Sequence, residues 1–170
     1  MSKAIKTLSK TVAIENSWTR IFSEKIQYSS GNQGDYIVVE RSPAIGILPV
    51  FNLDGLPHTC LVSQYRYPIE QDILQFPMGG MDINKNVIEQ AQIELEQETG
   101  LRMKHFVEIA KYYVDPGLSR QVTHVILATE LESKGTQQLE ASEEGLNCKI
   151  VPINYLSELI DAGKFVIHGP

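Results

Sequence analysis

Cysteine is nearly missing from this sequence. Cys60 and Cys148 are the only two, each in a strand-like run. Neither CxxC nor HExxH occurs, which removes the common zinc frameworks. The two thiols read as small buried hydrophobes of a protein kept in a reducing compartment, hence cytoplasmic. Long apolar runs are also missing, so no segment has the roughly 20 residues that a membrane-spanning helix needs. Lys3, Lys6 and Lys10 precede no continuous apolar region, which excludes a secretory signal. Basic residues are outnumbered, 15 Lys and Arg against 21 Asp and Glu, for a net charge of −6. That balance argues against non-specific nucleic-acid binding. It leaves an anionic small substrate open, because a bound cation inverts the local field. Tryptophan occurs once, as Trp18. Repeats and low-complexity tracts do not occur, and 170 residues with 42% hydrophobic content suit one soluble domain, residues 1–170.

The informative stretch is Gly79–Leu101, GGMDINKNVIEQAQIELEQETGL. It reads as a glycine-hinged loop, a short amphipathic helix and a glycine stop. Asn86 is a suitable N-cap, and Glu89 three residues on can complete a capping box. Gly100 supplies the left-handed residue that ends the helix. At helical spacing Val87, Ile88, Ala91 and Leu95 form one apolar stripe, which must pack on a core. Glu94 and Glu98 lie one turn apart beside that stripe, where like charges repel. A divalent cation between them would remove the repulsion.

This stretch resembles the box of the Nudix hydrolases, G-x5-E-x7-R-E-U-x-E-E-x-G-U, with U a bulky apolar residue. Gly79, Glu94, Leu95, Glu98, Gly100 and Leu101 match it. Lys85 stands where the first Glu belongs, Ile93 where the Arg belongs and Gln97 where the middle Glu belongs. The flanks QYRYP (64–68), DILQFPMGG (72–80) and DPGLS (115–119) are similar to the ADP-ribose pyrophosphatase branch. An isolated ELEQE run would read as a solvated face. The glycine loop, the caps and the flanks favour a metal-dependent phosphate site instead.

The resemblance implies an α/β (α+β) Nudix fold: mixed β-sheets sandwiched between helices, with a small N-terminal antiparallel sheet. It places the N-terminal strands at about 11–42 and the box at 79–101. It implies Mg²⁺ (or Mn²⁺) held by Glu94, Glu98 and the Met78 carbonyl, with Glu98 catalytic as well. Arg66 would hold the substrate's diphosphate or terminal sugar, as suits a planar bidentate donor. Gln75 sits at a substrate-binding position where relatives usually carry Glu. Counting back from VPINYLSELI makes Glu144 the relatives' loop glutamate and candidate base; an acidic solvated loop is the other reading of that segment. The substrate would be a nucleoside diphosphate sugar such as ADP-ribose, split to AMP and a sugar phosphate. The three box departures keep a second reading open, a catalytically impaired module that binds a nucleotide or a protein partner.

Along the rest of the chain, residues 1–10 read as polar and frayed. Apolar points from Ile14 to Ile26 have little core of their own, and the relatives' N-terminal sheet helps build a dimer, so a homodimer is expected. Trp18 reads first as a core or interface anchor, and otherwise as a stacking platform for adenine. Asn52-Leu53-Asp54-Gly55 signals a hairpin. Strands are expected over 103–114, 122–131 and 148–151, and a helix over 154–162. His124 reads as a satisfied core histidine. The polar segment 132–147 is too long for a simple turn and reads as functional or disordered.

Overall fold

Period-two alternation of apolar and polar residues sends most of this chain into strands. The computed structural model describes residues 5–82 and 84–165. These fall into two compact units. The first takes the described residues up to Pro43 together with Tyr113–Val122; the second takes Ala44–Tyr112 and the described residues from Thr123 onward.

The first unit is an antiparallel sheet of β1 (Ile5–Glu15), β2 (Thr19–Tyr28) and β3 (Gln33–Arg41), in that order. The expectation of a frayed start is corrected for residues 5–10; residues 1–4 lie outside the described residues. Residues from Ile5 on pair with β2, Ile5 against Tyr28 and Lys10 against Glu24. An edge strand exposed along its whole length tolerates that polar composition, because ladder bonds hold it instead of burial. Phe22 and Ile26 are buried on β2, and the Lys10 ammonium sits 3.5 Å from the centre of the Phe22 ring. Glu24, buried between those two, accepts a 2.8 Å bond from Arg120, which also pairs with Glu40. The turn Asp115–Ser119 forms as expected, Ser119 N–H donating to the Asp115 carbonyl at 2.6 Å. Leu118 and Arg120 then bond to the backbone of Val39 on β3.

The second unit contains β4 (Ala44–Leu53), β5 (Leu56–Arg66), β6 (Gln71–Gln75), β7 (Met78–Gly80), α1 (Val87–Thr99), β8 (Leu101–Tyr113), β9 (Val122–Lys134), β10 (Asn147–Pro152) and α2 (Tyr155–Asp161). Its mixed sheet runs β10-β5-β4-β9-β8, with β6 on β5 and β7 on β4. β4 and β9 are parallel, Ile45 opposite His124; β4 meets β5 and β7 antiparallel. Asp54 and Gly55 take φ of 52° and 81°, the pair of positive angles that the Asp-Gly hairpin signal calls for.

Helices cover both faces of this sheet. Ala91 and Leu95 of α1 pack with Ile45, Ile47, Cys60 and Ile126 on one face. Leu159 of α2 packs with Leu61 and Val151 on the other. The alternation Cys60, Leu61 on β5 feeds the two cores in turn. A mixed sheet between helices, together with a small antiparallel sheet, is the fold class expected.

Cys60 and Cys148, far apart in sequence, are neighbours across β5 and β10. β10 returns onto β5 with Cys148 opposite Val62 and Ile150 opposite Cys60. The two Cα atoms therefore lie 6.6 Å apart, within disulfide reach.

Leu95 is 0% exposed and anchors α1 to the sheet. Leu95→Ala is expected to cost about 2–5 kcal/mol, and Leu95→Asp to leave no soluble folded protein. Thermal melts of both variants check this; an unchanged melting temperature for Leu95→Asp would place the wrong face of α1 inside.

Candidate metal and phosphate site

α1 begins as its sequence dictates. Asn86 Oδ1 accepts from the Glu89 N–H at 2.8 Å. The Glu89 carboxylate returns no bond among the described residues, so the cap is one-sided. Gly100 closes the helix with φ 70° and bonds back to the Glu96 carbonyl. Between these caps Glu94 and Glu98 are drawn down with the apolar stripe, 9% and 2% exposed.

Short contacts fix both carboxylates. Gln90 Nε2 donates to Glu94 Oε1 at 2.7 Å, and the Met78 N–H donates to Glu98 Oε2 at 2.9 Å. Glu94 Oε2 and Glu98 Oε1 have no hydrogen bond among the described residues. Gly79 lies directly against the Glu94 carboxylate, so that a Cβ there would occupy the same space. Its place in the loop is required by contact, since φ at Gly79 is not positive. β7, which carries Met78 and Gly79, is held on β4 by the pairs Ile45–Gly79 and Gly46–Met78.

Burial dominates the electrostatics. Desolvation pushes the Glu98 carboxyl up to about 8, and the charges of Glu143 and Glu94 add to the rise. The Met78 hydrogen bond and the Arg66 guanidinium oppose it without prevailing. Glu94 is raised as well, first by burial and then by Glu143 and Glu140, against the Gln90 bond and Lys85. Two carboxylates a turn apart in a dry, acidic setting form a site short of positive charge. They fit a hard divalent cation, which takes oxygen ligands and is content with one or two carboxylates plus phosphate oxygens. Among the described residues no group of three His, Cys, Asp or Glu side chains could hold a metal. The donor set is thus a pair of carboxylates with backbone beside it.

The structure gathers Glu94, Glu98, Met78, Gly79 and, at longer electrostatic range, Arg66 and Lys85. Lys85 also stands 4.0 Å from Asp82. Gln75 is 2% exposed at the end of β6, paired with Val62, and neither atom of its amide has a protein partner. A buried unpaired amide is costly and invites a ligand or water. Glu144 is exposed, and it is Glu143 whose charge reaches both helix carboxylates. Trp18, in the turn between β1 and β2, is 77% exposed, which rules out the core-anchor reading. His124 is buried with Nδ1 2.9 Å from Glu108 Oε1, the satisfied histidine expected. Three residues escaped the sequence reading: Gln90, Gln137 and Glu143. Gln90 sits four residues before Glu94, a spacing that marks a same-face pair. Glu140 and Glu143 form a capping box around the single turn Ala141–Glu143, which the E-x-x-E spacing announces.

Folding favours the protonated Glu98, so its contribution to stability is full below about pH 4.5 and is lost as pH rises through about 8. In metal-free protein, Glu98→Gln is therefore expected to match wild type near pH 4.5 and to melt several degrees higher by about pH 8.5. Melting curves across that window check this; a constant gap would show that Glu98 does not titrate there.

The family profile described as NUDIX domain matches residues 40–167. An ADP-ribose pyrophosphatase of Bacillus subtilis is 28% identical over 126 residues, covering 74% of this chain and 66% of that protein. An ADP-sugar pyrophosphatase of Mus musculus is 35% identical over 92 residues, 53% of this chain and 42% of that one. The match thus spans about two thirds of the bacterial relative and less than half of the mouse one. A crystal structure of an ADP compounds hydrolase superposes with a TM-score of 0.78 at 19% identity, covering 94% of this chain and 84% of that chain, which shows the shared fold. With the profile spanning most of its length, the chain belongs to the Nudix family.

Proposed function

We propose that this protein hydrolyses the diphosphate bond of a nucleoside diphosphate sugar, ADP-ribose first, giving AMP and a sugar phosphate. The observation that carries the reading is the burial of two carboxylates one helical turn apart, Glu94 against Gly79 and Glu98 on the Met78 N–H. The printed names of the Bacillus and mouse relatives point to the same class of substrate. Glu94 and Glu98 would hold Mg²⁺ or Mn²⁺, with the Met78 carbonyl beside them. When bound, such an ion neutralises the diphosphate and lowers the pKa of a coordinated water. Arg66, within electrostatic reach of Glu98, is placed to steady the substrate's phosphates. Gln75 offers an unpaired amide to the substrate side of the same sheet face, and the exposed Trp18 is retained as a candidate base-stacking residue. A loop glutamate takes the proton from the attacking water. Glu143 suits that role better than Glu144, because its charge already acts on both helix carboxylates.

A second reading has its own support. With two carboxylates and no third ligating side chain among the described residues, the site is reduced. A module that binds a nucleotide without turning it over would keep this geometry. Release of AMP from a panel of nucleotide sugars, with and without Mg²⁺ or Mn²⁺, separates the two. The hydrolase reading expects cation-dependent AMP release that Glu94→Gln and Glu98→Gln each reduce at least a hundredfold with the fold intact. Glu143→Gln should lower kcat at least tenfold and Glu144→Gln by less than threefold. The reverse order would restore Glu144 as the base, and no release from any sugar would favour the binding module.

The assembly we propose is a homodimer through the first unit. Val12, Ile14 and Trp18 are exposed on and beside the edge strand β1, an apolar surface with no partner in the monomer. Light scattering at micromolar concentration is expected to give twice the chain mass; a mass of 19.1 kDa would refute it.

A further inference from the structure

The last turn of α1 leaves carbonyls that the helix cannot satisfy itself. Here they are met by a distant piece of chain. The Gln138 N–H donates to the Gln97 carbonyl at 2.9 Å, and the Gly135 N–H to the Gly100 carbonyl at 2.7 Å. Between them Gln137 Nε2 donates to the Glu98 carbonyl at 2.6 Å, the one side-chain bond of the three. The fit is close: a Cβ on Gly100 would stand 2.6 Å from the Gly135 carbonyl. Gly135–Gln138 is thus a strap across the helix end, directly behind Glu98. Two residues beyond it begins the capping box of Glu140 and Glu143, where Glu140 N–H donates to Glu143 Oε2 at 2.8 Å.

We infer that Gln137 is a positioning residue: by tying the strap to the Glu98 carbonyl it sets the acidic turn 140–143 at a fixed place relative to the last turn of α1. The distance from Gln138 to Glu140 is too short for the turn to wander once the strap is seated. The capping box keeps the turn in one shape, so the strap decides where that shape stands. Coupling of Glu143 to both helix carboxylates follows from the same placement. For what the acidic turn does, this inference rests on the hydrolase reading; for what holds the turn, it rests on geometry alone.

Gln137→Met removes the donor at nearly constant size. Amide hydrogen exchange reads the placement without any activity. In wild type, the Gly135 and Gln138 amides are expected to exchange with the last turn of α1. In Gln137→Met, exchange over residues 138–143 should quicken at least tenfold while the centre of α1 keeps its protection. Unchanged exchange in the variant overturns the inference. So does free exchange of Gly135 and Gln138 in wild type, a result that needs no variant. Kinetics give the second arm. Gln137→Met should lower kcat about tenfold with KM and Mn²⁺ affinity within about twofold, and adding Glu143→Gln should cost little more. Full additivity of the two variants would contradict a shared role. A wild-type chain that releases no AMP would count against the hydrolase reading, and exchange would then decide the strap by itself.

Discussion

Burial of two like charges is the constraint that organises the second unit. Glu94 and Glu98 enter the protein because the apolar stripe of α1 takes them in, and burial is the first cause of the rise in both carboxyls. Nothing in a stable core asks for that. A Glu pair on the outer face of α1 would cost only a few tenths of a kcal/mol in repulsion. Placed inward, the pair is a standing cost that a bound cation would remove, which is the usual balance between stability and function at a site.

The neighbouring elements keep that pair usable. β7 brings a backbone donor to Glu98 and a glycine to Glu94, and a side chain at 79 would push the carboxylate away. Gln90 steadies Glu94 from one turn earlier. The strap 135–138 closes the helix end. Each of these contacts aims or seats a carboxylate without neutralising it. The departures at Lys85, Ile93 and Gln97 fit the same picture. Ile93 and Gln97 are both neutral and both half-buried, so the helix loses a charged pair together and strands neither member.

Much of this was legible in the residues. α1, its caps and its buried stripe follow from spacing alone, as do the Asp54-Gly55 hairpin and the turn at Asp115. Pairing across long sequence distances was not legible. Nothing local says that β10 lies on β5, so the nearness of Cys60 to Cys148 was missed. Nothing local says that 135–138 returns to α1, so Gln137 was missed as well. β1 was read as frayed because edge strands are held by ladder bonds that leave no hydrophobic pattern. Glu144 was chosen by counting along the chain; the single turn Ala141–Glu143 that precedes it is not visible to such a count.

The central claim is that Glu94 and Glu98 are buried to hold one divalent cation. Anomalous diffraction from crystals grown with Mn²⁺ tests it most directly. The account predicts one strong peak bonded to oxygens of both Glu94 and Glu98, with the Met78 carbonyl within coordination distance. A peak held elsewhere, or none at a concentration that supports AMP release, would contradict it.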